Sequence, residues 1–354
     1  MREVSIASTA RILPEAVITN EEIGERLIAN FEVKDSFDAD AVAQVRTRSQ
    51  LIEKKTGLRA RRFFSPETMP VDVGFDLLTK LMKPSGAWGT LDGLIVSSSS
   101  SHGFPGLSQQ IIARAKELHP EIGNPFVLDV GSNACTGFMY ALTIGASLIK
   151  AMEYRRVACI AIEFSSRCIS YEPQAFGTST LFGDATAGVL LQGGGGGVAT
   201  INALRASSMI DVEQINLIKG GGMDVARPEL PVSESARWYM AGPPVAVGAT
   251  RILVSEIQSY QRNGAKIDWL LPHQANLTRI LIPACKNTGI DPSRLRASFA
   301  ETGNTSSASI PILLDELVRL PEAETGQTAL LIGFGASFTL GSALLTLNDV
   351  PVSE

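Results

Sequence analysis

The chain is poor in the residues that most often announce a function. Among 354 residues it has four cysteines and three histidines, and charged side chains make up 19% against 45% apolar. The cysteines, at positions 135, 159, 168 and 285, form no CxxC pair and no zinc spacing. So few cysteines in so long a chain fit a reducing compartment. No HExxH segment exists, and no metal is expected. A GxGxxG fingerprint, a GxxxxGK[ST] phosphate loop and a GxSxG elbow are all missing. No pair of carboxylates stands out for glycosidase chemistry. A net charge of −5 lacks the basic excess of a nucleic-acid-binding surface. The opening MREVSIASTA has charges at positions 2 and 3 and no apolar export segment, so a cytoplasmic protein is expected. Residues 130–149 and 325–348 lack charge for long enough to imitate membrane spans. Gly, Ser, Thr and Asn interrupt both, so they read as buried strand–turn–helix segments and no membrane partner is expected.

What is present is an alternation of short apolar runs and helical patterns. Residues 91–97 (LDGLIVS), 125–130 (PFVLDV) and 157–163 (VACIAIE) read as strands, with helices over 105–118 and 137–152. Later, 267–271 and 328–332 read as strands, and 245–260, 277–288 and 310–320 as helices. Strands rich in Val, Ile and Leu without clean alternation point to a sheet covered on both faces. Strands alternating with helices imply α/β architecture. The two halves rhyme. Residues 92–96 and 268–271 each lead through a loop into a helix, and LFGDATAGVLL (181–191) matches LIGFGASFTLGSALL (331–345) in layout. This suggests an internal duplication. The glycine run 193–197 is then either its boundary or simply a turn between strands. The domains expected are residues 1–195 and 196–354.

Cys135 lies in FVLDVGSNACTGFMYAL, where a strand passes through a tight turn into an apolar helix. A helix N-terminus offers unpaired N–H groups and partial positive charge, which favour the nucleophilic thiolate. A cysteine beside an apolar helix is otherwise a small buried hydrophobe, and that reading is kept for Cys159, Cys168 and Cys285. His273, in LLPHQAN, follows a strand at the kind of end where α/β sheets build their sites. Asn304, in ETGNTSSASIP, enters another helix, where alone it would be a cap or turn residue. The order Cys, His, Asn, each on a strand-to-helix turn, says more than any one of them.

With these motifs the sequence resembles the thiolase-fold condensing enzymes, and within them the β-ketoacyl-ACP synthase III family. ACTGF around Cys135 is similar to that family's nucleophile turn. HQAN (273–276) and GNTSSASIP (303–311) are similar to its other two active-site motifs, and FGD (182–184) and GFGASFTLGSALL (333–345) to its glycine-rich signatures. The resemblance covers nearly the whole chain. It implies a thiolase-like five-layered αβαβα fold built from two duplicated halves, and a homodimer. It implies a decarboxylative Claisen condensation that needs neither metal nor cofactor. Cys135 would take an acyl starter from acyl-CoA or acyl-ACP. Malonyl-ACP would then lose CO₂, and its carbanion would attack the acyl-enzyme. His273 and Asn304 would donate hydrogen bonds to the malonyl thioester oxygen, as neutral groups that do not quench the carbanion. The backbone N–H groups of Cys135 and Ala336 would form the oxyanion hole. The family usually has glycine at the latter place, so the alanine must keep an unstrained φ. Phe104, in SSSSHGFPG, matches the family's phenylalanine that crosses the dimer interface into the partner's acyl pocket; a core phenylalanine is the competing reading.

The chain departs from the family where CoA would bind. The tryptophan and arginine that often sandwich the adenine are replaced by Leu51 and Phe176, and the arginine of the family's R-T-G turn by Lys55. Leu51 and Phe176 offer no cation–π partner, which leaves the carrier open between CoA and ACP. Residues 30–49 suggest an extra helix near the tunnel mouth. Residues 206–237, with Lys219, the glycines 220–222 and Arg227, suggest a loop and hairpin along the substrate. An acidic carrier protein calls for a basic patch, with Arg251, Arg279 and Lys286 as candidates. Two rival readings remain. One is an acyltransferase that passes the acyl group from Cys135 to a hydroxyl, amine or thiol, with His273 as general base. The other is a silent partner subunit. Asn304 favours condensation over the first, and the intact trio weighs against the second.

Overall fold

In the Arg156–Glu163 strand, Val157, Cys159 and Ala161 belong to one buried cluster and Ala158, Ile160 and Ile162 to another. Both faces are covered, which is why hydrophobicity runs along the strand without alternating. The Thr328–Phe334 strand repeats the pattern, with Ala329 and Leu331 on one side and Leu330 and Ile332 on the other. These clusters are the contacts between five stacked layers. The computed structural model describes residues 2–33, 39–100, 103–131, 133–171, 175–208, 218–219, 238–335 and 338–348.

The N-terminal sheet runs, edge to edge, Phe126–Val130, Leu91–Ser97, Arg156–Glu163, Ala185–Gly193, Val4–Ile12. The C-terminal sheet runs Trp269–Pro272, Thr328–Phe334, Thr339–Leu347, Ala199–Ser208. Pairing of Ser5 with Thr200 and Ile6 with Ala199 joins them. The Gly137–Met152 and Ser309–Leu317 helices fill the layer between, where Phe138, Met139, Leu142, Ile310, Leu313 and Leu314 share one cluster with both sheets. The Pro70–Met82 and Leu107–Leu118 helices cover the outer face of the first sheet. Gly242–Arg262 and Ile282–Thr288 cover that of the second. This is the thiolase-like αβαβα arrangement.

The sheets share one plan. In each, a parallel pair is followed by two antiparallel pairs. Leu295 makes a parallel bridge to Leu270 where the first sheet has its Phe126–Val130 edge strand. Both pairs of rhyming segments therefore occupy matching strands.

Some boundaries differ from the sequence reading. The helix expected over 277–288 is divided: a wide-pitched π turn, Leu277–Leu281, precedes Ile282–Thr288, with Pro283 in the latter's first turn. The helix placed at 105–118 begins at Leu107, and that placed at 310–320 spans Ser309–Leu317. The extra helix sought within 30–49 is Ala39–Gln50, which follows Asn20–Val33 and buries Val42, Val45 and Ser49. Within 206–237, Ile218–Lys219 pairs antiparallel with Tyr239–Met240; the glycines 220–222 and Arg227 lie outside the described residues. Among the described residues one helical stretch, Ala134–Met152, is long and apolar enough to cross a membrane, but it is the central layer, packed between the sheets.

Candidate active site

Cys135 sits in a single 3₁₀ turn, Ala134–Thr136, that runs straight into the Gly137–Met152 helix. Ala134 is left-handed, with φ 46°. Such a conformation costs a non-glycine residue about 1–3 kcal/mol and survives only where its surroundings impose it. The opposite sheet does so. A Cβ at Gly335 would lie 2.5 Å from Thr136 Oγ1 and 2.7 Å from Asn133 O, so only glycine lets that segment close over the cysteine turn. The Thr136 and Thr339 hydroxyls hydrogen-bond across the contact. Ala336, the second expected oxyanion donor, lies outside the described residues.

His273 prolongs the Trp269–Pro272 strand, its N–H donating to Ile332 O at 2.8 Å. The ring is buried, stands edge-on to Phe334 at 5.1 Å, and brings Nδ1 to 2.8 Å from Ser309 Oγ. Burial pushes its pKa down to about 3, against a small upward pull from the Ser306 carbonyl, so the imidazole is neutral at ordinary pH.

Asn304 is placed by the FGD turn. Its N–H donates to Leu181 O at 2.8 Å, and Gly183 N–H donates to Asn304 O at 3.0 Å. The approach is close: a Cβ at Gly303, where φ is 70°, would fall 2.7 Å from Leu181 O. The Asn304 side chain is buried, and its Oδ1 accepts from Ser306 N–H at 2.9 Å, which leaves Nδ2 free to donate.

One short turn joins the three. Ser306 donates from Oγ to Cys135 Sγ at 3.5 Å and from its amide to Asn304, while its carbonyl accepts from Ser309 Oγ at 2.9 Å. Ser309 in turn meets His273. The structure thus brings Cys135, His273 and Asn304 into one hydrogen-bonded cluster. The sequence reading picked Asn304 out of GNTSSASIP and passed over its serines; a run of serines entering a helix was the signal. It also missed Glu163, a lone carboxylate ending the otherwise apolar VACIAIE strand. Glu163 is fully buried, and desolvation raises its pKa to about 7 although five serine donors oppose this. Cys135 is half-buried. Burial pushes its thiol up to about 12, with the Ser306 hydroxyl pulling it down and the Glu163 charge pushing it further up.

A cavity of about 290 Å³ opens beside the cluster, lined by Lys55, Phe176, Met240, Arg279 and Asn304 among others. Cys135 and His273 are not among its lining residues; they meet Asn304 through the serine turn. Lys55 and Phe176 thus lie on the wall of one cavity. Leu51 does not, and Ile52 takes its place on the wall. The expected lack of a cation–π partner is overturned: the Arg48 guanidinium stands 3.9 Å over the Phe176 ring. It comes from the Ala39–Gln50 helix, whose register the sequence pattern did not reveal. Of the three candidate patch residues, Arg279 lines the cavity, whereas Arg251 and Lys286 are exposed away from it. Phe104 is fully exposed, which excludes the core reading. It lines a separate cavity of about 360 Å³ beside the Phe126–Val130 edge strand.

Residues 128–213 match the family described as 3-oxoacyl-[acyl-carrier-protein (ACP)] synthase III, and residues 257–347 match that family's C-terminal part. The chain is 31% identical over 346 residues to the β-ketoacyl-[acyl-carrier-protein] synthase III of Pectobacterium atrosepticum, covering 96% of this chain and 98% of that one. Among solved structures it is similar to the priming β-ketosynthase of the R1128 polyketide pathway, with TM-score 0.81, 25% identity, and coverage of 99% and 98%. It is also similar to 3-oxoacyl-(acyl carrier protein) synthase III of Pseudomonas aeruginosa, with TM-score 0.79, 25% identity, and coverage of 99% and 100%.

Proposed function

The chain belongs to the β-ketoacyl-[acyl-carrier-protein] synthase III family, and from that premise we propose that it condenses a Cys135-bound acyl starter with malonyl-ACP, releasing CO₂ and a β-ketoacyl-ACP. The observation that carries this reading is the serine turn, which holds a thiol, a neutral imidazole and a pinned amide within one cluster. Cys135 attacks the starter thioester, and the acyl group passes to its sulfur. Malonyl-ACP then enters through the Arg48–Lys55–Phe176 cavity. As CO₂ leaves, negative charge gathers on the thioester oxygen. Asn304 Nδ2 donates to that oxygen. His273 donates from Nε2, which requires that the Ser309 hydroxyl turn its one proton from the Ser306 carbonyl to Nδ1. Neither donor carries a proton acidic enough to quench the carbanion. The carbanion attacks the acyl carbon, and Cys135 leaves as thiolate. The oxyanion at that carbon is taken by the backbone N–H of Cys135 and, in this proposal, that of Ala336. No cofactor enters the sequence of steps.

ACP is the natural partner. Arg48, Lys55 and Arg279 ring the cavity with no carboxylate paired to them among the described residues, which suits an acidic protein delivering a phosphate-bearing arm. The Arg48–Phe176 stack also supports a CoA-borne starter, since a flat base could lie against it. A second copy fits the free edge of Phe126–Val130, beside which the exposed Phe104 lines a cavity; a homodimer through this edge would bury Phe104. The two halves 1–195 and 196–354 would then each contribute to the site, the first the nucleophile and the second its two donors.

The test is Asn304→Asp. Condensation predicts that Cys135 still takes the acyl group while CO₂ release from malonyl-ACP falls about 10²–10³-fold, because a carboxylate opposes the enolate. Undiminished CO₂ release would move the reaction to simple acyl transfer.

A further inference from the structure

The condensation sequence leaves unsaid where the Cys135 proton goes. His273 is a poor receiver, since burial holds its pKa at about 3. Another path is present. Ser306 Oγ lies 3.5 Å from Cys135 Sγ and 2.7 Å from Ser99 Oγ, and Ser99 Oγ lies 3.2 Å from Glu163 Oε1. Two hydroxyls therefore span the gap between the thiol and a buried carboxylate. Glu163 is held for this from three sides. Ser99 N–H donates to both its oxygens at 3.1 Å, Ser100 Oγ donates at 3.2 Å, and Ser307 donates from both amide and hydroxyl. No cation neutralises it among the described residues. Hydroxyls are suited to such a chain, since each can accept and donate in one motion.

Taking the condensation reading as its basis, we infer that Glu163 is the proton acceptor for Cys135, reached through the Ser306 and Ser99 hydroxyls. As the carbon–sulfur bond to the acyl group forms, the thiol proton passes to Ser306 Oγ. The Ser306 proton passes to Ser99 Oγ, and the Ser99 proton to Glu163 Oε1, which becomes a carboxylic acid. When the tetrahedral intermediate collapses, the carrier thiolate leaves. The proton returns through the same hydroxyls to its sulfur, so the exchange consumes and releases no net proton. In the thiolate state every link is reversed, and Ser306 donates to Sγ. The Glu163 pKa of about 7 leaves the carboxylate able to take and return a proton near neutrality. The groups that hydrogen-bond Glu163 come from Ser99, Ser100 and Ser307, so its titratable neighbour among the described residues is Cys135.

The experiment compares the wild type with Glu163→Gln and Ser99→Ala by rapid-quench acylation of Cys135 from an acyl-CoA and, separately, by CO₂ release from malonyl-ACP. The relay predicts acylation slowed at least about tenfold, toward the 10²-fold usual for a lost general base, with the ratio of acylation to decarboxylation falling at least about tenfold in both variants. It also predicts a wild-type acylation rate that falls as pH drops through about 7, when Glu163 takes up its proton, and loss of that limb in the variants. Ser99→Ala keeps four of the five donors on Glu163, the Ser99 amide, the Ser100 hydroxyl and the Ser307 amide and hydroxyl, so it stands should Glu163→Gln fail to fold. Unchanged acylation in Ser99→Ala, or equal loss of both half-reactions, would overturn the relay. A wild type that never acylates Cys135 would overturn the condensation reading.

Discussion

The two central helices are entered by matching turns that hold opposite chemistry. Ala134–Thr136 leads into Gly137–Met152, and Ser306–Ala308 leads into Ser309–Leu317. Each is a three-residue 3₁₀ turn whose first residue is left-handed, Ala134 at φ 46° and Ser306 at 48°. By this correspondence Cys135 and Ser307 are counterparts. What lies against them differs. Beside the cysteine turn the facing strand ends at Phe334 and gives way to Gly335, an uncharged and close surface. Beside the serine turn the facing strand ends in Glu163, which takes two bonds from Ser307. A duplicated fold thus supplies the same helix entrance twice. It becomes a nucleophile site only where no carboxylate touches it, since a like charge in contact holds a thiol in its protonated form.

The largest expected effects test that asymmetry. Cys135→Ala should lower acyl-enzyme formation at least about 10⁴-fold, measured by rapid quench. Adding Ser307→Cys to that variant puts a thiol at the mirrored place, and no acyl adduct should appear there. Fast acylation or iodoacetamide labelling at position 307 would break the comparison, because the turn alone would then suffice. Next in size, His273→Ala should cut CO₂ release from malonyl-ACP about 10²-fold. In the wild type that half-reaction should be level from pH 5 to pH 8 with respect to His273. A histidine lowered to about 3 takes up its proton only below that range, so its neutral form persists throughout. A step near pH 6.5 would show that the imidazole titrates as if exposed.

Smaller effects sharpen the contact that shapes the cysteine turn. Gly335→Val should destabilise the protein by about 1–3 kcal/mol, seen as a lower Tm, because its side chain would drive against Thr136 and Asn133. The smallest belongs to the cavity mouth. Arg48→Ala should raise KM for an acyl-CoA about two- to fivefold and leave kcat in place, as expected for loss of one exposed cation–π contact.

The strand-to-helix turns that carry Cys135 and His273 were legible because each joins two local patterns, a short apolar run and a helical period; Asn304 instead follows a short helix, Phe299–Thr302, so the strand expected before it is absent among the described residues. The duplication was legible for the same reason, since its matching strands keep their layout. The assembly of the site was not. Ser99, Glu163 and Ser307 lie far apart in the chain and meet only when two strand ends converge on a helix entrance, so nothing local marks them. The same holds for Arg48 and Phe176, whose contact depends on how the Ala39–Gln50 helix lies over the cavity. Phe104 was legible as a choice between a dimer-crossing side chain and a core one, and its exposure removes the core reading.

The most direct test of the account is intact-protein mass spectrometry in two steps, first with a panel of acyl-CoAs and acyl-ACPs, then with malonyl-ACP as a chase. The account predicts one acyl group added at Cys135, then discharged as a β-ketoacyl-ACP with loss of CO₂. An adduct that forms but leaves only to a hydroxyl, amine or thiol acceptor, or no adduct at Cys135 from any donor, would contradict it.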